Sequence, residues 1–280
     1  MNSEDIPTLE EIDSLVENIR REATLQPKVG LVLGSGLGGL AEAVESAVAI
    51  PTDGLMGWPK STVQGHAGRL VIGRLEGVPV CVMQGRAHYY EGYSMARIGL
   101  PIRVMQRLGA DTLIVTNAAG GVNPGFEPGD IMLITDHLNL IGMAGQSPLY
   151  GPNLDEFGPR FPDMSRAYDR ELQALARDAA AREQVTLREG IYICLGGPAF
   201  ESPADLRFLR MIGVDAVGMS TVPEVTVARH GGMRTLGLSG ISNKANLDGN
   251  TMTTHEEVLE AGKVLGPKLE RLIRGVLRRL

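Results

Sequence analysis

The sequence predicts an α/β fold: a single domain, read over residues 1–280, with a mixed central β-sheet flanked by helices. Three observations carry that prediction. Apolar runs rich in Val, Ile and Leu recur along the chain, mostly without clean alternation, as strands buried on both faces do. Segments with helical spacing of apolar residues separate them. No repeat, low-complexity tract or break in composition divides the chain.

In chain order, Thr8-Leu9-Glu10-Glu11 has the form of a capping box. Leu9, Ile12, Leu15, Val16 and Ile19 then fall on one face, predicting a helix over 8–24. Strands are predicted at 29–33, 69–74, 78–84, 112–117, 130–135, 189–195, 214–219 and 234–241. The pair around Glu76-Gly77 should form a hairpin. Val48-Ala49-Ile50 is stopped by Pro51 and is not counted as a strand. Helices are predicted at 94–108, 165–184, 203–212, 222–230 and 254–279, the last opening on Thr254-x-x-Glu257. Residues 140–164 are rich in Gly, Pro, Asn and Asp and have no period. A loop that long in a compact domain is functional or docks on a partner.

A net charge of −6 argues against nucleic acid or an anionic membrane as the main partner. The basic cluster Lys268, Arg271, Arg274, Arg278 and Arg279 reads as a solvated helix face. Cys81 and Cys194 lie far apart in apolar runs and read as buried thiols in a reducing compartment. The acidic N-terminus lacks the features of a signal peptide, and no apolar run reaches the roughly 18 residues of a membrane span, so a cytoplasmic protein is expected.

Gly34, Gly36 and Gly39 in "GSGLGG" match the dinucleotide-binding fingerprint after a strand, with Asp53 about 20 positions on, where an acidic partner is expected. The space for a crossover helix is short and Pro51 breaks the second run. From the loop alone, a dinucleotide site, a plain turn and another anion site with Ser35 as donor all remain open. Polar groups gather at further strand ends, where open α/β sheets hold ligands. They include His66 between glycines and Arg86, His88 and Tyr90 alternating after a strand. The small-residue stretch 116–125 follows another strand, and three more segments are "GGPAFES", "VGMSTVPE" and "GISNKAN". Taken singly, His66 reads as a loop histidine, Glu201 as an acid beside the Ser202-Pro203 helix start, Asn243 as a turn residue, His255 as a first-turn residue and Met219 as core. His137 and His230 read as structural, Tyr89 and Tyr93 as packing.

"GSGLGG", "GHAGRL", "GRAHYYEGY", "TNAAGGVNPGFEPGDIM", "GPNLDEFGPRFPDMS", "GPAFES", "AVGMSTVPEV" and "SNK…HEEV" occur in the order found in trimeric purine nucleoside phosphorylases, which the chain resembles from about residue 28 to 262. The resemblance implies a nucleoside phosphorylase fold and phosphorolysis of purine nucleosides, of inosine and guanosine type, to free base and pentose 1-phosphate. It further implies that phosphate meets Ser35, His66, Arg86, His88, the Ala118 N–H and Ser220. The sugar would meet Tyr90, Met219, His255 and, from a neighbouring subunit, Phe161. The base would meet Phe200, Glu201 and Asn243, with Asn243, Glu201 and His88 closest to the chemistry. A homotrimer is implied, with phosphate as co-substrate and no metal or organic cofactor. Ala87, Tyr89 and "NKANLDG" depart from animal members and point to a bacterial form. Three rival readings fit less well. Methylthioadenosine phosphorylase is disfavoured by Glu201, Asn243 and His255. An NAD-dependent oxidoreductase leaves most motifs unexplained. A non-catalytic nucleoside binder is disfavoured because no expected phosphate ligand is missing.

Overall fold

A computed structural model describes residues 6–280. Nine strands form one sheet: β1 (Val29–Leu33), β2 (Glu45–Pro51), β3 (Arg69–Leu75), β4 (Val78–Gln84), β5 (Thr112–Gly121), β6 (Ile131–Leu138), β7 (Leu187–Cys194), β8 (Ala216–Gly218) and β9 (Arg234–Lys244). An open arm runs β2-β3-β4-β1-β5, and the far part closes through β8, β7, β6 and β9, which pairs back onto β5. β4, β1, β5 and β9 are mutually parallel, whereas β6 and β8 run antiparallel to their neighbours β9 and β5.

Helices cover both faces. α1 (Leu9–Glu22), α2 (Met95–Leu108) and α6 (Val222–His230) pack on one, through Ile12, Leu15, Leu100 and Val227. α4 (Arg170–Arg182) and α7 (His255–Leu277) pack on the other, through Leu172, Ala176, Leu265 and Ile273. The short α3 (Leu140–Met143) and α5 (Pro203–Met211) complete the set. Local chemistry explains their starts, since an N-terminal turn leaves N–H groups that a side-chain oxygen must satisfy. Ser94 caps α2 and Asp169 caps α4, while Ser202 with Asp205 and Thr254 with Glu257 form reciprocal boxes at α5 and α7.

Several expectations need correction. Thr8 caps α1, but the Glu11 carboxylate binds Arg97 rather than closing the box. Residues 45–51 are a strand after all: β2 is an edge strand, where a terminal Pro costs no ladder bond, and it pairs antiparallel with β3. The small-residue segment after residue 117 continues β5 to Gly121, because the ladder to β9 holds it extended despite weak strand propensity. α4 starts at Arg170, five residues later than the periodicity indicates. Before it, Asp163 accepts from Ser165 N at 2.8 Å, and this turn replaces the first helical residues.

The C-terminal cations are not simply solvated. Arg274 and Arg278 both pair with Glu76 of the β3–β4 turn, Arg279 with Asp178 of α4, and Lys268 donates to Gly129 O. The 140–164 segment docks first on its own chain: Phe157 is buried beneath Arg103 and Arg107 of α2, and Asn153 Oδ1 meets His230 Nε2 at 3.1 Å. His137 bonds Tyr168 Oη at 3.0 Å, and both cysteines are free and buried.

Gly240 of β9 exists because α7 needs the room: a Cβ there would stand 2.9 Å from Leu265 Cδ1. Leu265→Ala should therefore open a cavity against the sheet and cost about 2–5 kcal/mol in urea unfolding. A loss below about 1 kcal/mol would show that α7 is not seated by this contact.

Candidate active site

A cavity of about 340 Å³ opens at the ends of β1, β4, β5, β8 and β9. Its walls bring together Ser35, Arg86, His88, Tyr90, Ala118, Phe200, Glu201, Met219, Ser220, Asn243 and His255, residues spread over more than 200 positions of sequence. Two predicted residues stand apart. His66 lies behind Ser35, and Phe161 is 88% exposed, with Arg160 over its ring. A second cavity of about 160 Å³ abuts the first. It shares Gly120, Phe200, Glu201, Val217 and Asn243 with it, but not Ser35, Arg86 or His88, so the two groups mark different ends of the site.

The first end is built for an anion. Arg86 follows β4 and is 4% exposed. Its Nη1 donates to Glu224 Oε1 of α6 at 2.9 Å and its Nη2 to Thr116 O of β5. Gly34 lets β1 end against this group, since a Cβ would lie 2.8 Å from Asn117 Cα and 3.1 Å from Arg86 Nη2. Ser35 Oγ is 3.0 Å from His66 Nε2, while His66 Nδ1 sits 3.0 Å from Ser61 Oγ and 2.8 Å from Arg86 O. Burial, reinforced by the neighbouring His88 and Arg86, pushes His66 down to about 4, so it is neutral at pH 7. His88 stacks between His66 and Tyr90, at 5.5 and 4.9 Å between centroids. Glu91 Oε2 accepts from His88 N at 2.7 Å and lies 3.3 Å from His88 Nδ1, which leaves Nε2 for a ligand. Burial alone would raise the Glu91 carboxyl, but its bonds from His88 and Thr62 outweigh that and hold it at about 2.

Ser220 is delivered by a rare turn. Thr221, fully buried, has φ +74° and ψ −51°, and Val222 N donates to Ser220 O at 2.8 Å. This is a γ-turn of the strained hand, unusual for a β-branched residue and worth about 1–3 kcal/mol of strain. Asn117 Nδ2 holds it by donating to Thr221 Oγ1 at 2.8 Å.

At the other end, Phe200 and Val217 are the apolar walls and Glu201 and Asn243 the polar ones. Ser242 Oγ lies 2.9 Å from Asn243 Oδ1, which leaves the amide nitrogen to donate. Burial, with Asp205 acting the same way, raises the Glu201 carboxyl. His255 Nε2 approaches Gln64 O at 3.2 Å across the mouth.

The opening glycine motif has another use than its spelling indicates. β1 is followed by a 3₁₀ turn over Gly38–Ala43, not a crossover helix, and the strands beside β1 are β4 and β5. Gly36, at φ +72°, abuts Gly262 of α7, and Gly39 has open space around it. Asp53 sits exposed in a turn after the edge strand. A dinucleotide crossover unit is absent there. Sequence reasoning missed Glu224, Thr221, Asn117 and Glu91. All four lie inside quoted motifs, Glu91 in "GRAHYYEGY", Asn117 in "TNAAGGVNPGFEPGDIM" and Thr221 and Glu224 in "AVGMSTVPEV", but nothing in the spacing marks their roles. Among the described residues, no group of three or more His, Cys, Asp or Glu side chains is arranged to hold a metal, and no helix is long and apolar enough to cross a membrane.

Residues 28–278 match the model of the phosphorylase superfamily. The chain is 50% identical over 269 residues to purine nucleoside phosphorylase 1 of Geobacillus stearothermophilus, covering 96% of this chain and 97% of that one. It is 52% identical over 270 residues to the purine nucleoside phosphorylase of Rattus norvegicus, covering 95% and 93%. The structure of Schistosoma mansoni purine nucleoside phosphorylase in complex with inosine superposes with a TM-score of 0.93 at 38% identity, covering 98% and 97%. The chain belongs to the phosphorylase superfamily and has the nucleoside phosphorylase fold.

Glu224→Ala would leave the Arg86 charge buried without its counter-ion and should cost about 3–5 kcal/mol in urea unfolding, with Glu224→Gln costing less. An alanine variant as stable as the parent would mean that the pair does not hold the site.

Proposed function

We propose, with membership of that superfamily as the premise, that the chain is a purine nucleoside phosphorylase. It converts inosine- and guanosine-type ribo- and deoxyribonucleosides and phosphate into free base and pentose 1-phosphate. One observation carries the reading: a single cavity joins an end rich in anion-binding donors to an end with an aromatic wall, an amide donor and a carboxylate. Inosine held by the Schistosoma mansoni relative supports the same substrate class.

In the proposed reaction, phosphate is held by Ser35, Arg86, His88, the Ala118 N–H and Ser220, with His66 holding Ser35. Tyr90, Met219 and His255 meet the sugar, and Phe200 packs on the purine. The C1′–N9 bond breaks early, leaving an oxocarbenium-like sugar and a purine that carries off the electron pair. Catalysis then rests on donors placed where that charge develops. The Asn243 amide donates to N7, and the Glu201 carboxylate accepts from N1–H and, in guanine, the 2-amino group. Phosphate attacks C1′ from the opposite face, so the anomeric centre inverts. Phosphate is the nucleophile and side chains handle the charge, so the chemistry calls for no metal or organic cofactor. We further propose a homotrimer of bacterial type acting in the cytoplasm, with Phe161 of one subunit closing the sugar site of the next. The 88% exposure of Phe161 supports that assignment, since a large aromatic side chain gains by being covered.

Incubation with inosine or guanosine should release free base only when phosphate is present, and phosphate-independent release would refute the assignment. Asn243→Ala should lower kcat by about tenfold or more, because its contact strengthens in the transition state; a loss confined to KM would contradict that role. Phe161→Ala should raise nucleoside KM with the trimer intact by light scattering, whereas a fully active monomer would defeat the shared site.

A further inference from the structure

A cavity of about 160 Å³ lies beside the larger one. It continues from Glu201 and Asn243 into a recess lined by Leu206, Ala245, Asn246, Thr251 and Thr253. In the proposed reading, which this inference rests on, Glu201 faces N1 and Asn243 faces N7. The part of the purine between those two atoms is C6, so the recess lies beyond the C6 edge. Its volume is several times the roughly 30 Å³ that one water occupies in the liquid. Leu206 and Ala245, backed by Leu209 and Leu247, give it an apolar side suited to carbon rather than charge. The Asn246 amide donates to Thr251 O and accepts from Thr251 N, so that side chain is engaged without a ligand.

We propose that the base site accepts guanine nucleosides alkylated on O6, with the alkyl group seated in this recess. An O6-alkylguanine has no N1–H: N1 becomes an acceptor, while the 2-amino group still donates. Glu201 in its acid form matches that pattern, since its O–H donates to N1 and its other oxygen accepts from the 2-amino group. The burial that raises the Glu201 carboxyl favours this form. Other charged groups on the surrounding elements include Asp205, Arg207 and Arg210 of α5, Lys244 of β9, Asp248 of the following loop and His255, Glu256 and Glu257 of α7. Arg207 is engaged by Leu247 O, Lys244 by Glu127 and Asp248 by Asn250. The reaction is otherwise unchanged. The C1′–N9 bond breaks with its electron pair going to the purine, a phosphate oxygen bonds C1′, the hydrogen-phosphate proton ends on the purine, and the alkyl–oxygen bond stays intact.

The test compares O6-methylguanosine with guanosine in the full enzyme with phosphate. Both should be cleaved, and lowering the pH should raise the rate on the methylated substrate relative to guanosine. Ala245→Leu fills the recess and should reduce kcat/KM for O6-methylguanosine by about tenfold or more while changing guanosine less than about twofold. Thr253→Leu, at another position of the lining, should do the same and guards against misfolding of the first variant. Cleavage of guanosine with none of O6-methylguanosine overturns the inference alone, as does an equal loss on both substrates in both variants or a ratio that falls toward acid. No cleavage of either substrate overturns the functional reading beneath it.

Discussion

The buried pair of Arg86 and Glu224 is the constraint around which the site is assembled. Neither charge can stay in the interior alone, since an unpaired buried ion costs several kcal/mol. Meeting that demand joins three elements that sequence separates widely: the end of β4, the first turn of α6 and, through Thr116 O, the middle of β5. The crowding has its own consequences. β1 must finish on a glycine because Arg86 and Asn117 occupy the space a side chain would take. Ser35 follows that glycine directly, and so is carried to the mouth. The strained turn at Thr221 follows as well, because the chain must leave β8 with Ser220 facing the cavity and start α6 in time for Glu224 to reach Arg86.

The remaining recognition depends on two polar chains with opposite outcomes. His66, locked between Ser35, Ser61 and the Arg86 backbone, is driven neutral and serves as a fixed hydrogen-bonding spacer. Glu91 is held ionised by several donors and orients His88. At the base end burial outweighs the one backbone N–H that opposes it, and the Glu201 carboxyl is raised toward its neutral form. The site thus has a committed carboxylate behind its wall, Glu91, and an adaptable one in it, Glu201. Their difference comes from hydrogen-bond supply rather than from residue type.

Most elements were legible wherever local and global preferences agree. The Glu76-Gly77 turn, both residues at positive φ, is written in the dipeptide, and α2, α6 and α7 carry their caps or breakers in sequence. What stayed hidden was decided by tertiary pairing. β2 looks interrupted until its edge position makes Pro51 harmless, and β5 looks finished at Asn117 until the ladder to β9 carries Ala and Gly onward. Eleven of the thirteen candidate site residues line one cavity; the motif order that singled them out is a family signal, not a physical one. Glu224 and Thr221 lie inside the "VGMSTVPE" segment, but their roles were out of reach. An acid in a first helical turn reads as ordinary dipole compensation, and nothing in a threonine announces left-handed backbone.

The ring of β5, β8, β7, β6 and β9 divides the site into two materials. Side chains rising from β5, β8 and β9 stand on strands that are hydrogen-bonded on both sides, so their positions are set before any ligand arrives. The opposite wall consists of Gln64 and its loop together with the first turn of α7, which meet across the mouth where His255 approaches Gln64 O. The ring thus acts as a die for the part of the base end that Val217 and Asn243 form, cast before any ligand arrives.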